Sequence, residues 1–304
     1  MRDIVLVNNL LTGCMGERVL WDFLLEGIPN IQGMDLRSHQ SFTDITSHIE
    51  TQCSPDVVVI QNASFLPKIA NRRTIAFLQD NLRGMGRTNA QQEHVLRTSD
   101  YVVFNSIETS KSYSDYEGSI IPIGIDSNLF APQQNRQKLK NKYNLKEGSP
   151  VGIFVGDFTD VKGWKDVLHV IRYYPHIQFI LVTKGTVIPV PSNAQVFQRI
   201  DQQQLCELIN CSDFFILGSP IETQCLAALE AALCDVPILM RPTGIFMDWS
   251  KEDRARIGVF TNNLINGVEK ILSSQYLTPR QTVQSKNLDI TTTIEKWKTL
   301  LDNI

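Results

Sequence analysis

The sequence predicts an α/β protein made of two doubly wound domains in tandem. One observation is that short apolar runs alternate with helical stretches along the chain, the mark of parallel sheets with helices on both faces. Another is the polar break Ala131-Pro-Gln-Gln-Asn-Arg-Gln137, which has no strand pattern and after which the alternation starts afresh. Length agrees, since 304 residues are enough for two domains with their own cores. Sheets of this kind take ligands at the carboxyl ends of their strands, so the pair predicts an inter-domain cleft.

Element by element, Ile4–Val7 is a short apolar strand. The loop Thr12-Gly-Cys-Met-Gly16 follows, then a helix from about Glu17 to Leu25. Val57–Ile60, Thr74–Leu78 and Tyr101–Phe104 are further strands, each followed by a helical stretch. Past the break, Val151–Val155 is a strand, Trp164–Tyr173 a helix and Ile177–Val182 a strand. Gln202–Asn210 is a helix, Phe214–Leu217 a strand, Glu222–Leu233 a helix and Pro237–Met240 a strand. Near the end, Thr292-x-x-Glu295 reads as a capping box. Ile294, Trp297, Leu301 and Ile304 then form an apolar stripe, so this helix must dock on something. There are no internal repeats and no low-complexity tract.

Composition is that of an ordinary globular protein, 42% hydrophobic and 20% charged. A net charge of −3 argues against wholesale nucleic-acid binding. Residues 1–130 carry 10 Lys+Arg against 15 Asp+Glu, yet Lys68, Arg72, Arg73, Arg83, Arg87 and Arg97 form a basic stretch within that acidic half. It reads as a solvated face or as a patch for an anionic acceptor or lipid surface, so peripheral membrane contact stays open. The start Met1-Arg-Asp-Ile-Val-Leu-Val-Asn lacks a secretory pattern, and no apolar run approaches the roughly 20 residues that span a bilayer. The six cysteines (14, 53, 206, 211, 225, 234) show no Cys-x-x-Cys spacing and read as reduced core thiols, which points to the cytoplasm. The five histidines form no local cluster and no Asp-x-Asp is present, so no metal site is expected.

The most telling run is Ser219 to Met240. From Cys225 to Leu233 everything but Glu230 is apolar and helix-forming, and a carboxylate inside such a helix costs several kcal/mol unless compensated. On one helix, Glu222 and Glu230 would be about 12 Å apart along the axis and roughly 80° apart around it. That spacing suits an elongated polyhydroxyl ligand whose anionic centre sits at the helix N-terminus. A second motif is Gly156-Asp-Phe-Thr-Asp-Val-Lys-Gly-Trp164. Gly156 permits close backbone approach at a strand end, and Lys162 stands just before a helix, where it can hold a phosphate.

Three blocks occur in order: Ile121-Pro-Ile-Gly-Ile-Asp-Ser-Asn-Leu-Phe-Ala-Pro132, Val155-Gly-x5-Lys-Gly163, and Glu222-x7-Glu230 with Asp235-Val-Pro-Ile behind it. Their order and spacing resemble the retaining GT-B glycosyltransferases of family 4, also called glycosyl transferases group 1. The matching blocks run from about residue 100 to 245. The resemblance implies two Rossmann-like domains, with the C-terminal helix returning to the first. Residues 1–132, with a helix at about 288–304, would form the acceptor domain, and 133–287 the donor domain.

It also implies roles. Glu222 would contact donor-sugar hydroxyls and Glu230 the nucleotide ribose. Backbone N–H groups of Thr223, Gln224 and Cys225 would face sugar and diphosphate, and Lys162 would neutralise the leaving diphosphate. Gly156 and Asp157 would line the donor site, and the Gln198-Arg199-Ile200 loop would grip the base. Gly13, Gly16 and Gln79 would lie toward donor phosphates and acceptor. The activity implied is transfer of a hexose or N-acetylhexosamine from a nucleotide diphosphate sugar to a hydroxyl acceptor, whether glycan, lipid-linked or protein-bound. Configuration would be retained and neither metal nor cofactor used.

The sequence departs from the family at Asp157, where an Arg is common, at Gln79, where many relatives have His, and at Thr223, which replaces a glycine. Arg199, Lys184 or Arg18 could replace the missing cation, and His94 the imidazole. These departures motivate the alternative, a catalytically weak sugar-nucleotide-binding or scaffolding protein of the same fold. A GT-B epimerase would need an acid/base pair that the sequence does not offer.

Overall fold

The structure, a computed structural model, describes residues 3–8, 22–35, 47–49, 55–61, 72–87, 89–274 and 278–304. The chain divides into two compact units, Met1–Gly124 with Ile290–Ile304, and Ile125–Asp289.

The first unit holds strands β1 (Ile4–Asn8), β2 (Ile31–Asp35), β3 (Val57–Gln61), β4 (Arg73–Leu78), β5 (Tyr101–Phe104) and β6 (Ser119–Ile120). Helix α1 (Ala90–Thr98) joins β4 to β5, and α2 (Ile107–Ser112) follows β5. The order is β2-β1-β3-β4-β5-β6, with every neighbouring pair parallel. Val57–Ile60 and Ile75–Leu78 are buried throughout, as strands covered on both faces require. The expected helix over Glu17–Leu25 is seen at 22–27, and its earlier residues lie outside those described.

The second unit follows in chain order with α3 (Arg136–Lys142), β7 (Val151–Val155), α4 (Trp164–Tyr173), β8 (Gln178–Thr183), β9 (Ala194–Gln198), α5 (Gln202–Asn210) and β10 (Phe214–Leu217). Then come α6 (Leu226–Leu233), β11 (Ile238–Met240), α7 (Lys251–Ile257), β12 (Gly258–Phe260), α8 (Leu264–Ser273) and α9 (Pro279–Gln284). The sheet order is β12-β11-β10-β7-β8-β9, again all parallel. From β7 the chain winds outward to β9, then returns and winds the other way from β10. The reversal lies between β7 and β10, and in doubly wound sheets a crevice opens there beyond the carboxyl ends of the strands.

The last helix, α10 (Ile290–Asn303), belongs to the first unit. Its expected stripe packs inward: Trp297, Leu301 and Ile304 are buried, and the Trp297 ring meets Phe77 edge-on at 5.1 Å. Thr293 donates to the carbonyl of Pro122 at 2.9 Å. The capping box is not the start of this helix. Asp289 is already tied by a bridge to Ile125 and by the Ser127 hydroxyl, buried Ile290 opens the helix, and Thr292 sits inside it.

Candidate functional site

The loops after β7 and β10 meet at the switch point of the second sheet because two glycines let them. Gly163 has φ +63, and a Cβ placed on it would come within 2.0 Å of the Gly218 carbonyl. Only residues without side chains allow such an approach. Ser219 fastens the contact by donating to the carbonyl of Val161 at 2.7 Å. A packed group of Phe154, Phe158 and Trp164 accompanies the first loop, with Phe158 and Trp164 centred 4.3 Å apart.

This contact brings Lys162 to Glu222, whose Nζ and Oε1 stand 2.7 Å apart. The Glu222 side chain is 9% exposed and the Lys162 side chain 36%. The stem of Lys162 runs over Gly156, where a Cβ would lie 3.3 Å from Lys162 Cγ. Glu222 is also held from behind: its N–H donates to Thr243 Oγ1 at 2.9 Å, and Gly244, at φ +70, packs against its Cβ. Thr243 and Gly244 went unnoticed in the sequence. The only signal for them was a Pro-Thr-Gly turn beyond a strand.

The sequence predicts a helix from Glu222, but α6 begins at Leu226. Cys225 ends the intervening turn in the left-handed region, φ 61, and its own side chain makes no capping hydrogen bond. Glu222 is therefore a buried turn residue ahead of the helix tip, and the axial geometry expected for the two acids does not apply. Thr223, Gln224 and Cys225 do form the turn that enters the helix. Burial, and after it the neighbouring Glu222 carboxylate, raise the Cys225 thiol above its ordinary value. Glu230 is half-buried and its carboxyl is pushed up to about 8, chiefly by loss of water and then by Cys206.

Asp157 and Arg199 come together at the ends of β7, β8 and β9. Asp157 Oδ1 accepts from the Gly185 N–H at 2.8 Å and the Thr183 hydroxyl at 3.0 Å. Arg199 is left-handed at φ 54, its N–H bonded to the Thr183 carbonyl at 3.0 Å, and Ile200 follows it.

A profile of the family "Glycosyl transferases group 1" matches residues 135–287. The chain belongs to this glycosyltransferase family. The alpha-monoglucosyldiacylglycerol synthase of Acholeplasma laidlawii is 26% identical over 201 residues, 59% of this chain and 49% of that one. The chain thus spans about half the length of this relative. Among solved structures, HepE of Anabaena in complex with UDP-glucose matches over 100% of both chains with a TM-score of 0.82 at 14% identity. A glycosyltransferase of Rickettsia africae matches over 98% of this chain and 97% of its own, with a TM-score of 0.72 at 14% identity. The lipopolysaccharide glycosyltransferase WaaG matches over 96% and 98%, with a TM-score of 0.73 at 14% identity. At these identities the likeness shows the fold, which is GT-B with two Rossmann-like domains.

The other expected site residues belong to the first unit. Gln79 is in the first unit, buried at the end of β4, and its carbonyl accepts from Asn105 at 3.1 Å. Gly13 and Gly16 lie outside the described residues. In the basic stretch, Arg83 is taken up by Glu93 and Asp115 and stacks on Tyr113 and Tyr116 at 4.7 and 5.5 Å. These acids hold its guanidinium above its ordinary value. Arg83 thus braces the first unit and adds little to a basic surface. Among the described residues no three His, Cys, Asp or Glu side chains gather to hold a metal ion, and no helix is long and apolar enough to cross a membrane.

Proposed function

We propose that the protein moves a hexose or N-acetylhexosamine from a nucleotide diphosphate sugar to a hydroxyl acceptor, retaining anomeric configuration and without a metal ion. The observation that carries this reading is the Lys162–Glu222 pair at 2.7 Å beside the start of α6. A cation, a carboxylate able to take sugar hydroxyls and helix amides at one switch point support the reading. That HepE was crystallised with UDP-glucose supports a nucleotide-sugar donor for a chain of this fold.

In the step itself, the acceptor hydroxyl attacks the anomeric carbon as the sugar–phosphate bond breaks, and its proton passes to the departing phosphate oxygen. Negative charge grows on the diphosphate, and Lys162 with the amides of the Thr223–Cys225 turn stabilises it. Glu222 holds sugar hydroxyls. Glu230, raised to about 8, keeps a proton at neutral pH and so can both donate to and accept from ribose hydroxyls. The hydroxyl acceptor is a glycan, lipid-linked or protein-bound, and the setting is cytoplasmic with peripheral membrane contact.

The test is a thermal-shift panel of UDP, GDP and ADP with their common sugars, followed by donor hydrolysis without acceptor, in EDTA. At 100 times its Kd a ligand stabilises by about 2.7 kcal/mol, which such a melt detects. One nucleotide diphosphate should shift the melt, and its sugar should be hydrolysed slowly. Binding without any turnover would favour the scaffolding alternative; binding of none would overturn the reading.

A further inference from the structure

Asp157 stands where the family commonly carries a cation, and its surroundings give it a different job. Its Oδ1 accepts from the Gly185 N–H at 2.8 Å and from Thr183 Oγ1 at 3.0 Å. A Cβ on Gly185 would lie 2.9 Å from that same oxygen and would press on it. The Gly185 carbonyl in turn takes the Gln198 amide at 2.7 Å. The Thr183 carbonyl takes the Arg199 N–H at 3.0 Å, and the Lys184 carbonyl takes Arg199 Nε at 3.5 Å. Arg199 itself is held at φ 54, which an L residue leaves unless its neighbours fix it. One carboxylate oxygen thus anchors the turn after β8, and that turn anchors the turn after β9.

We propose that Asp157 is a positioning residue for base recognition: through Gly185 and Thr183 it fixes the Gln198–Ile200 loop, and so sets which nucleoside diphosphate is bound. The inference rests on the functional reading above, in which that loop grips the base. It also accounts for an acid near a diphosphate, because the carboxylate is spent on protein donors.

The experiment is calorimetric titration of wild type, Asp157→Ala and Asp157→Asn with UDP, GDP and ADP. Wild type should prefer one base. Asp157→Ala should lose about tenfold of that preference, as losing hydrogen bonds to a charged group implies. Asp157→Asn should keep the preference, because its amide oxygen still accepts from Gly185 and Thr183. Gly185→Ala, which presses on the same oxygen, should lose it too and serves if Asp157→Ala fails to fold. An unchanged base preference in both Asp157→Ala and Gly185→Ala overturns the inference, as does a wild type without preference. Equal tightening of all three nucleotides by Asp157→Asn also overturns it, since that would mean direct charge repulsion. A wild type that binds none of the three instead sinks the functional reading.

Discussion

Replacing Lys162 by Met tests the pair on which the site is built. The ammonium lies 2.7 Å from a carboxylate only 9% exposed, while the lysine side chain is 36% exposed. Removing one partner of a buried pair costs about 3–5 kcal/mol, and exposed pairs contribute about 0–1 kcal/mol. A half-sheltered pair falls between these, at about 2 kcal/mol. In a domain of this size 1 kcal/mol moves Tm by about 2–4 °C, so Lys162→Met should lower Tm by about 4–8 °C. Glu222→Gln removes the buried charge and leaves an ammonium that can reach water, so it should cost less. The double variant should melt near Glu222→Gln alone, because the stranded carboxylate is gone. Circular-dichroism melts at neutral pH supply all four values. A Lys162→Met protein that melts with the wild type, or two changes that simply add, would refute the pair. Turnover should fall about 10²–10³-fold in Lys162→Met for want of a charge-stabilising group.

Glu222→Gln should abolish donor turnover while the far-UV spectrum stays native; unchanged turnover would remove Glu222 from the site. Glu230 gives a pH signature. Its folded carboxyl, at about 8 against the ordinary 4.5, keeps a proton that the unfolded chain has released, so stability is full below 4.5 and falls as pH rises through 8. The slope is at most about 1.4 kcal/mol per pH unit and less for a half-buried group; denaturant melts of Glu230→Gln should show it flattened, and an unaltered profile would contradict the assignment. Gly163→Ala forces a methyl to 2.0 Å from the Gly218 carbonyl and a side chain into the left-handed region, so it should destabilise by about 3 kcal/mol or more in a urea melt. Trp297→Ala should cost about 3–5 kcal/mol, read as a lower Tm.

Strands buried on both faces were legible because they are apolar runs closed off by polar turns. Tyr101–Phe104, Val151–Val155 and Phe214–Leu217 match residue for residue. Helices with a clear apolar stripe, Trp164–Tyr173 and Gln202–Asn210, were equally plain. The short strands Ser119–Ile120 and Gly258–Phe260 and the half-exposed edge strand Ala194–Gln198 were not, since they are too brief or too mixed to show a period. The start of α6 was misread because Glu222, Thr223 and Gln224 are compatible with a helix by propensity. What keeps them out of it is tertiary: the Thr243 hydroxyl and Lys162 hold Glu222, and Cys225 turns left-handed without the glycine that would announce it. In the site, Lys162 and Glu222 were both singled out in the sequence by their motifs, and the structure brings them within 2.7 Å of each other. The role of Asp157 was not legible, because its partners sit at residues 183 and 185, on the neighbouring strand's loop.

The first unit is discontinuous in sequence, and this makes its completion depend on the last helix. A ribosome makes Met1–Gly124 first, yet the indole that seals that unit's interior against Phe77 emerges only after all of Ile125–Asp289. Without that indole the first unit is left with an unfilled apolar gap beside Phe77. A chain truncated before Trp297 should therefore keep the sequence-continuous second unit folded while the first exposes apolar surface and aggregates.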